Sequence, residues 1–403
     1  MYLLYQLIAL LACVACIACK PIQARDSTPV ASTTYPIPSI LTPARATNPL
    51  FSQAPLQHST FAVNSTVAFG EMADPTNKYT LFRDGGGSCP IANRTLFFFD
   101  DTGAYINGTF KGFASNSISV ATNFSQPNVL SDVSCTPATG CQAAIPWTSA
   151  EAATQGSPSK RYVLWVYTNC IPTGTNTAVH FWSLNKYSSD YAYTGLGNTM
   201  VQYELNATTN QLTLTRNTEV TFAPPTYPYG SFASVVVNGT AYLYGLDVTY
   251  NRNDVHLAMA PVGTITDLTT WQYYNASTKS WSSTMPVPSA RAQSAAVIQN
   301  SIPFSTGTVF FSEYHNAFLL VFFDNYADST FRVLSAPSPV GPWTTNNLAI
   351  WSLTPGPKGF DYGGVAHSFY YTNNGPAGKS LMLHYSYQDS SGTYPVANEL
   401  TFA

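Results

Sequence analysis

Two aspartates bracket the stretch of this chain best suited to chemistry. Arg83-Asp84-Gly85-Gly86-Gly87-Ser88 is followed by Leu96-Phe97-Phe98-Phe99-Asp100-Asp101-Thr102. The stretch reads as one β-hairpin turning near Asn93, with Asp84 nine residues before that point and Asp101 eight residues after it. Antiparallel pairing returns both acids to the same end, as near-opposite neighbours with Cβ atoms roughly 5 Å apart. Two carboxylates at that range can divide the work of glycoside hydrolysis. One protonates the leaving oxygen while the other activates water or attacks the sugar. Asp84 and Asp101 are therefore the candidate catalytic pair. Asp100 is expected to point the other way, because strand side chains alternate, and to be structural. Arg83 is placed to contact substrate or hold a carboxylate ionised, with a bidentate structural pair as the equal alternative.

The elements that must position these acids recur along the chain. A second unit runs from Tyr229-Gly230-Ser231 through an Asn238-Gly239 turn to Asp247, and a third from Asp361-Tyr362-Gly363-Gly364 and His367 to His384. Two hairpin-like units stand between them, Arg161–Tyr167 with Ala178–Leu184 and Thr308–Tyr314 with Ala317–Phe323. Helix signals nearly vanish. Short β-branched and aromatic runs alternate with Gly, Asn, Pro and Ser clusters, which indicates an all-β chain. Five units at spacings of roughly 60–80 residues read as a five-bladed β-propeller, with a β-sandwich as the competing architecture. The segment Ser59–Phe69 is expected to supply the outer strand that closes the ring against the C-terminal blade. In such a ring Asp84, Asp101, Asp247, Asp324 and Asp361 share one acidic rim. Asp247 and Asp361 are candidates to orient substrate, and Tyr229, with Tyr227, to form a sugar platform. His367 lies on an inner strand, where it either bonds a sugar hydroxyl or is satisfied within the core. Glu313 reads as surface or packing.

Composition bounds the partners. Of 403 residues 9% are charged and 14% aromatic, and the net charge of −3 comes without a basic block, so nucleic-acid binding has no electrostatic support. Tyr2 to Ala18 is an uncharged apolar run ending in small residues. It reads as a signal peptide over 1–19, with an uncleaved anchor as the alternative. After its removal no run is long enough to span a membrane. Residues 20–58, rich in Pro, Ser and Thr, read as a loosely attached arm, and 59–403 as the β domain. Asn-x-Ser/Thr sequons stand at Asn64, Asn93, Asn107, Asn123, Asn206, Asn238 and Asn275, which fits a glycosylated, secreted, extracellular protein. Four cysteines follow the leader. Cys135–Cys141 and Cys89–Cys170 are the favoured pairs among three possible pairings. No His stands at zinc-ligand spacing near them, and no cofactor is indicated.

The Arg-Asp-Gly-Gly start, the apolar strand and the Asp101-Thr102 end resemble domain-of-unknown-function family 4185, whose active members are classed as glycoside hydrolase family 183. Tyr229-Gly230-Ser231 before a Val-rich strand, and Gly341-Pro342-Trp343, add to the likeness over roughly residues 70–403. The resemblance implies a five-bladed β-propeller and endo-D-arabinan hydrolysis. The chain departs from that pattern at Asp100, where glycine is expected, and at Pro90. Together these readings point to a secreted, monomeric glycoside hydrolase acting on a polysaccharide, an arabinan or another furanoside. A non-catalytic, lectin-like carbohydrate-binding propeller is the alternative, and a structural or interaction protein a third.

Overall fold

The computed structural model describes residues 29–38, 61–76, 80–137, 139–155, 161–189, 192–247, 253–288, 295–299, 305–324, 328–355, 361–370, 376–390 and 392–403. The signal-like run lies outside the described residues, as does most of the arm. Among the described residues no helix is long and apolar enough to cross a membrane.

Five antiparallel sheets of four or more strands follow one another along the described chain. The first holds Gly87–Ile91, Arg94–Phe99, Ser117–Ala121 and Leu130–Asp132. The second is built on the long hairpin Thr177–Ser189 with Ala192–Asn206, flanked by Tyr162–Trp165 and Gln211–Arg216. The third begins at Ala233–Val237, the fourth at Ser305–Ser312 and the fifth at Tyr362–His367.

Why the sheets form a ring is visible in their burial. Leu96, Phe97, Phe98 and Phe99 are all fully buried, so both faces of that strand are covered. Leu96 and Phe98 pack with Leu164, Trp182 and Tyr203 of the second sheet. Phe97 and Phe99 pack with Met382 and Ala397 of the fifth. The fourth sheet repeats the rule. Phe318, Leu320 and Phe322 face the third sheet, while Leu319, Val321 and Phe323 face the fifth. A separate cluster joins the second sheet to the third through Phe181, Tyr229 and Leu243. Each sheet thus buries both faces against two neighbours, and the first meets the last, which is the construction of a β-propeller. Hydrogen bonds tie the first strands together, from Thr308 Oγ1 to the Ala366 carbonyl at 2.9 Å and between Ser88 Oγ and His367 Nδ1.

Val63–Glu71 pairs with the C-terminal strand Thr393–Phe402 and completes the fifth sheet, so an N-terminal strand closes the ring. The arm is not loose where it is described. Ala31–Pro36 is an edge strand on Gln211–Arg216 with alternating burial, and hydroxyl pairs Ser32–Thr215 and Thr34–Thr213 lie across it. Six sequon asparagines are exposed and Asn275 is half-buried.

Both disulfides form as the pairing argument expects, Cys89–Cys170 and Cys135–Cys141. The first joins residues 81 apart and ties the first sheet to the second. In the chain-entropy model a loop of that length contributes about 4–5 kcal/mol. A Cys89→Ser/Cys170→Ser variant is expected to lose most of that in denaturant unfolding, and an unchanged midpoint would contradict it.

Candidate active site

The hairpin that carries the two acids is divided between two sheets. Gly87–Ile91 pairs with Arg94–Phe99 in the first sheet, while Thr80–Arg83 pairs with Thr102–Ile106 in a small three-stranded sheet completed by Thr109–Ala114. Arg83 stands opposite Thr102 and Gly87 opposite Phe98, so one register runs through both parts. At the junction Asp84 N–H donates to the Asp101 carbonyl at 3.0 Å, and Asp100 N–H donates to the Asp84 carbonyl at 2.9 Å. Two residues therefore oppose one, the pattern of a β-bulge, which re-aims side chains beside functional sites. Gly85 and Gly86 take up the register on the other strand with positive φ of 39° and 129°. A Cβ on Gly86 would lie 2.0 Å from the Phe98 carbonyl oxygen, so only glycine fits there.

The bulge corrects one expectation. Asp100 does not turn away; it lines the same pocket as Asp84 and Asp101, because alternation does not hold through Asp100–Asp101. The Asp100 carboxyl is buried and its Oδ1 accepts the Val166 N–H at 2.7 Å. Burial pushes its pKa well above the ordinary range. The Val166 hydrogen bond opposes the rise, and the charges of Asp101 and Asp84 add to it.

Asp101 is held by the second sheet. Trp165 Nε1 donates to its Oδ1 at 3.0 Å, and an Arg161 guanidinium nitrogen stands 3.5 Å from Oδ2. Burial, then the charge of Asp84, lift the Asp101 pKa to about 7, against the lowering pull of Trp165 and Arg161. Arg161 is itself clamped between the rings of Phe113 and Tyr187, at 4.5 and 4.6 Å. Tyr187 and Tyr193 face each other across the long hairpin of the second sheet, and Trp165 meets Tyr193 edge-on at 5.2 Å. With Tyr167, Tyr362 and Gly363 these side chains enclose a pocket of about 220 Å³ over the three acids. Arrangements of this kind, with a high-pKa carboxylic acid beside a second carboxylate and aromatic walls, can transfer a proton to a leaving oxygen.

The other sequence candidates are not brought here. Arg83 is 1% exposed and lies in an ion pair with Asp132, over the Phe99 ring. Its neighbour Asp84 takes the outward place on the strand. Tyr229 is 1% exposed and packs among Phe222, Tyr227 and Tyr273, so it is core between sheets and not a sugar platform. Tyr227 is likewise buried, stacked 3.6 Å from His256. His367 is buried in a hydrogen-bonded row with Ser88 and His384, whose Nε2 reaches the Gly85 carbonyl at 3.3 Å. It supports the acid-bearing loop from beneath and does not face the pocket. Asp247, opposite Asp254 at the end of its hairpin, is buried and lines neither the acid pocket nor the groove beside it. Asp361 is also buried and precedes the pocket residue Tyr362. Glu313 is exposed and accepts the Ala377 N–H, in line with a surface role.

The sequence had suggested no site role for Arg161, Tyr187, Tyr193 or Tyr362. A usable signal was present in Trp165-Val166-Tyr167, where alternation sends both rings to one face.

A structure of a hydrolase candidate from Bacteroides ovatus ATCC 8483 superposes with a TM-score of 0.58 at 14% identity, covering 79% of this chain and 85% of that one. Zg3597, a family 117 glycoside hydrolase from Zobellia galactanivorans, gives 0.47 at 9% identity over 85% of this chain and 91% of that one. The catalytic domain of the Coprinopsis cinerea GH62 alpha-L-arabinofuranosidase gives 0.42 at 10%, over 85% and 98%. No curated protein sequence matches this chain. The family model for the domain of unknown function DUF5005 matches residues 84–373, a different family from the one the hairpin motif resembles. That match begins at Asp84 and spans most of the chain, so this protein belongs to the DUF5005 family.

Proposed function

We propose that the protein is a glycoside hydrolase, in which Asp101 is the general acid and Asp84 the second carboxylate. The observation that carries this reading is the setting of Asp101, which lines an aromatic-walled pocket opposite Asp84 across one hairpin, where burial and the charge of Asp84 raise its pKa. Protonated Asp101 gives its proton to the glycosidic oxygen, and Trp165 and Arg161 then hold the carboxylate it becomes. Asp84 activates water or attacks the anomeric carbon. Asp100, buried and raised in pKa, acts as a positioning residue beneath the pair. We read the five large sheets as five blades. The signal-like N-terminus and the outward-lying sequons support an extracellular setting. A neutral polysaccharide is the substrate class, with arabinans and other furanosides first to try on the family-4185 likeness. The lectin-like alternative keeps one point in its favour, Asp100 in place of the motif's glycine, and predicts glycan binding without release of reducing ends.

The pH dependence tests the assignment. The general acid must be protonated, so kcat/KM falls as pH rises through about 7. Trp165→Phe removes a hydrogen bond that lowers the Asp101 pKa, and its descending limb moves to higher pH. A limb that stays in place or moves down would contradict the role of Asp101.

A further inference from the structure

The pocket is not the whole of the site. A groove of about 730 Å³ adjoins the pocket and shares Asp84 and Asp101 with it. Its walls come from the small three-stranded sheet and the Thr393–Phe402 strand: Phe82, Tyr105, Phe110, Phe113 and Tyr394. Phe110 and Phe113 are 52% and 42% exposed, unusual for rings that could have turned inward. The rings brace one another. Phe82 meets Tyr105 edge-on at 5.1 Å and Tyr394 at 5.3 Å, and Tyr105 meets Phe110 at 5.3 Å. Gly103, Gly108 and Gly392 also line the groove, and Thr80 and Thr393 set neutral polar side chains among the rings. Arg161 links the walls of the two cavities, since its guanidinium lies over Phe113 of the groove and over Tyr187 of the pocket.

We propose that this groove binds the continuing chain of a neutral polysaccharide whose reacting residue sits in the pocket. The inference rests on the glycoside hydrolase reading for the role of the acids. Aromatic faces with neutral polar side chains among them suit sugar rings, which have apolar faces and hydroxyl edges. The volumes, about 220 Å³ for the pocket and about 730 Å³ for the groove, give one enclosed residue and several open ones. Among the described residues the lining of the groove holds two aspartates and no Lys or Arg, a charge balance that favours neutral over acidic polymers.

The test uses the full protein and Phe110→Ala/Phe113→Ala, both at exposed positions. Cleavage is measured on oligosaccharides of increasing length from any neutral polysaccharide the wild type cuts. Wild-type kcat/KM is expected to rise with length. The variant loses roughly two- to tenfold more per ring on the longest oligomer than on the shortest. An equal loss at every length, or none, overturns the groove. Affinity electrophoresis in gels containing arabinan, xylan or polygalacturonate separates this from failure of the hydrolase reading. Retardation by a neutral polymer that the variant loses keeps the groove even where no glycan is cut. No wild-type retardation by either neutral polymer, or equal retardation by polygalacturonate, overturns it.

Discussion

Asp101→Asn and Asp84→Asn are each expected to lower kcat by about 10²–10⁴-fold, the usual yield of a positioned acid or base, while leaving the fold intact. The measurement is turnover on a cleaved polysaccharide beside denaturant unfolding of the same samples. Stability should move in a telling direction for Asp101. Its folded pKa of about 7 lies above the unfolded value of roughly 3.9, so between those limits the folded state binds more protons. Stability therefore falls as pH rises from about 4 to 7. The amide that Asp101→Asn introduces cannot ionise, so this variant loses that slope and becomes the more stable protein above pH 7. A variant that loses activity and stability together at every pH would mark Asp101 as structural.

The second large effect lies just behind the acids. Asp132→Ala strips the partner from Arg83 and leaves a guanidinium buried beneath the hairpin. Breaking a buried pair from one side costs about 3–5 kcal/mol, because the remaining charge is uncompensated. Urea unfolding should show a midpoint shift of that size. Arg83→Met should also act on stability while sparing KM. Raised KM with an unchanged midpoint would instead return Arg83 to the substrate.

The hairpin was legible because its logic is local. A turn at Ala92-Asn93 and uniform pairing on both sides set Asp84 opposite Asp101 without help from the rest of the fold. The propeller construction was legible from recurring hairpin-like runs, and a continuous apolar run such as Leu96–Phe99 demands cover on two faces. The Cys89–Cys170 pairing was the favoured one of the three that Cys89, Cys135, Cys141 and Cys170 allow. Asp100 was misread because a bulge suspends alternation, and nothing in Phe99-Asp100-Asp101-Thr102 announces one. Tyr229 was misjudged for a different reason, and of the two readings of His367 the core one is realised. Each stands at a strand end in a repeated unit, yet the ring covers it with a neighbouring sheet, and covering distance is not written in a single unit. Arg161, Trp165, Tyr187 and Tyr193 come from the sheet beside the hairpin, so their approach to Asp101 depends on how two sheets pack and not on spacing along the chain.

Reducing-end release tests the central claim most directly. The full protein and its Asp84→Asn/Asp101→Asn variant are incubated, near pH 6, with a panel of neutral polysaccharides that includes arabinans. New reducing ends are expected from at least one polymer with the wild type and none above background with the variant. Equal release by both proteins, or glycan binding by the wild type with no release from any polymer, would contradict that claim.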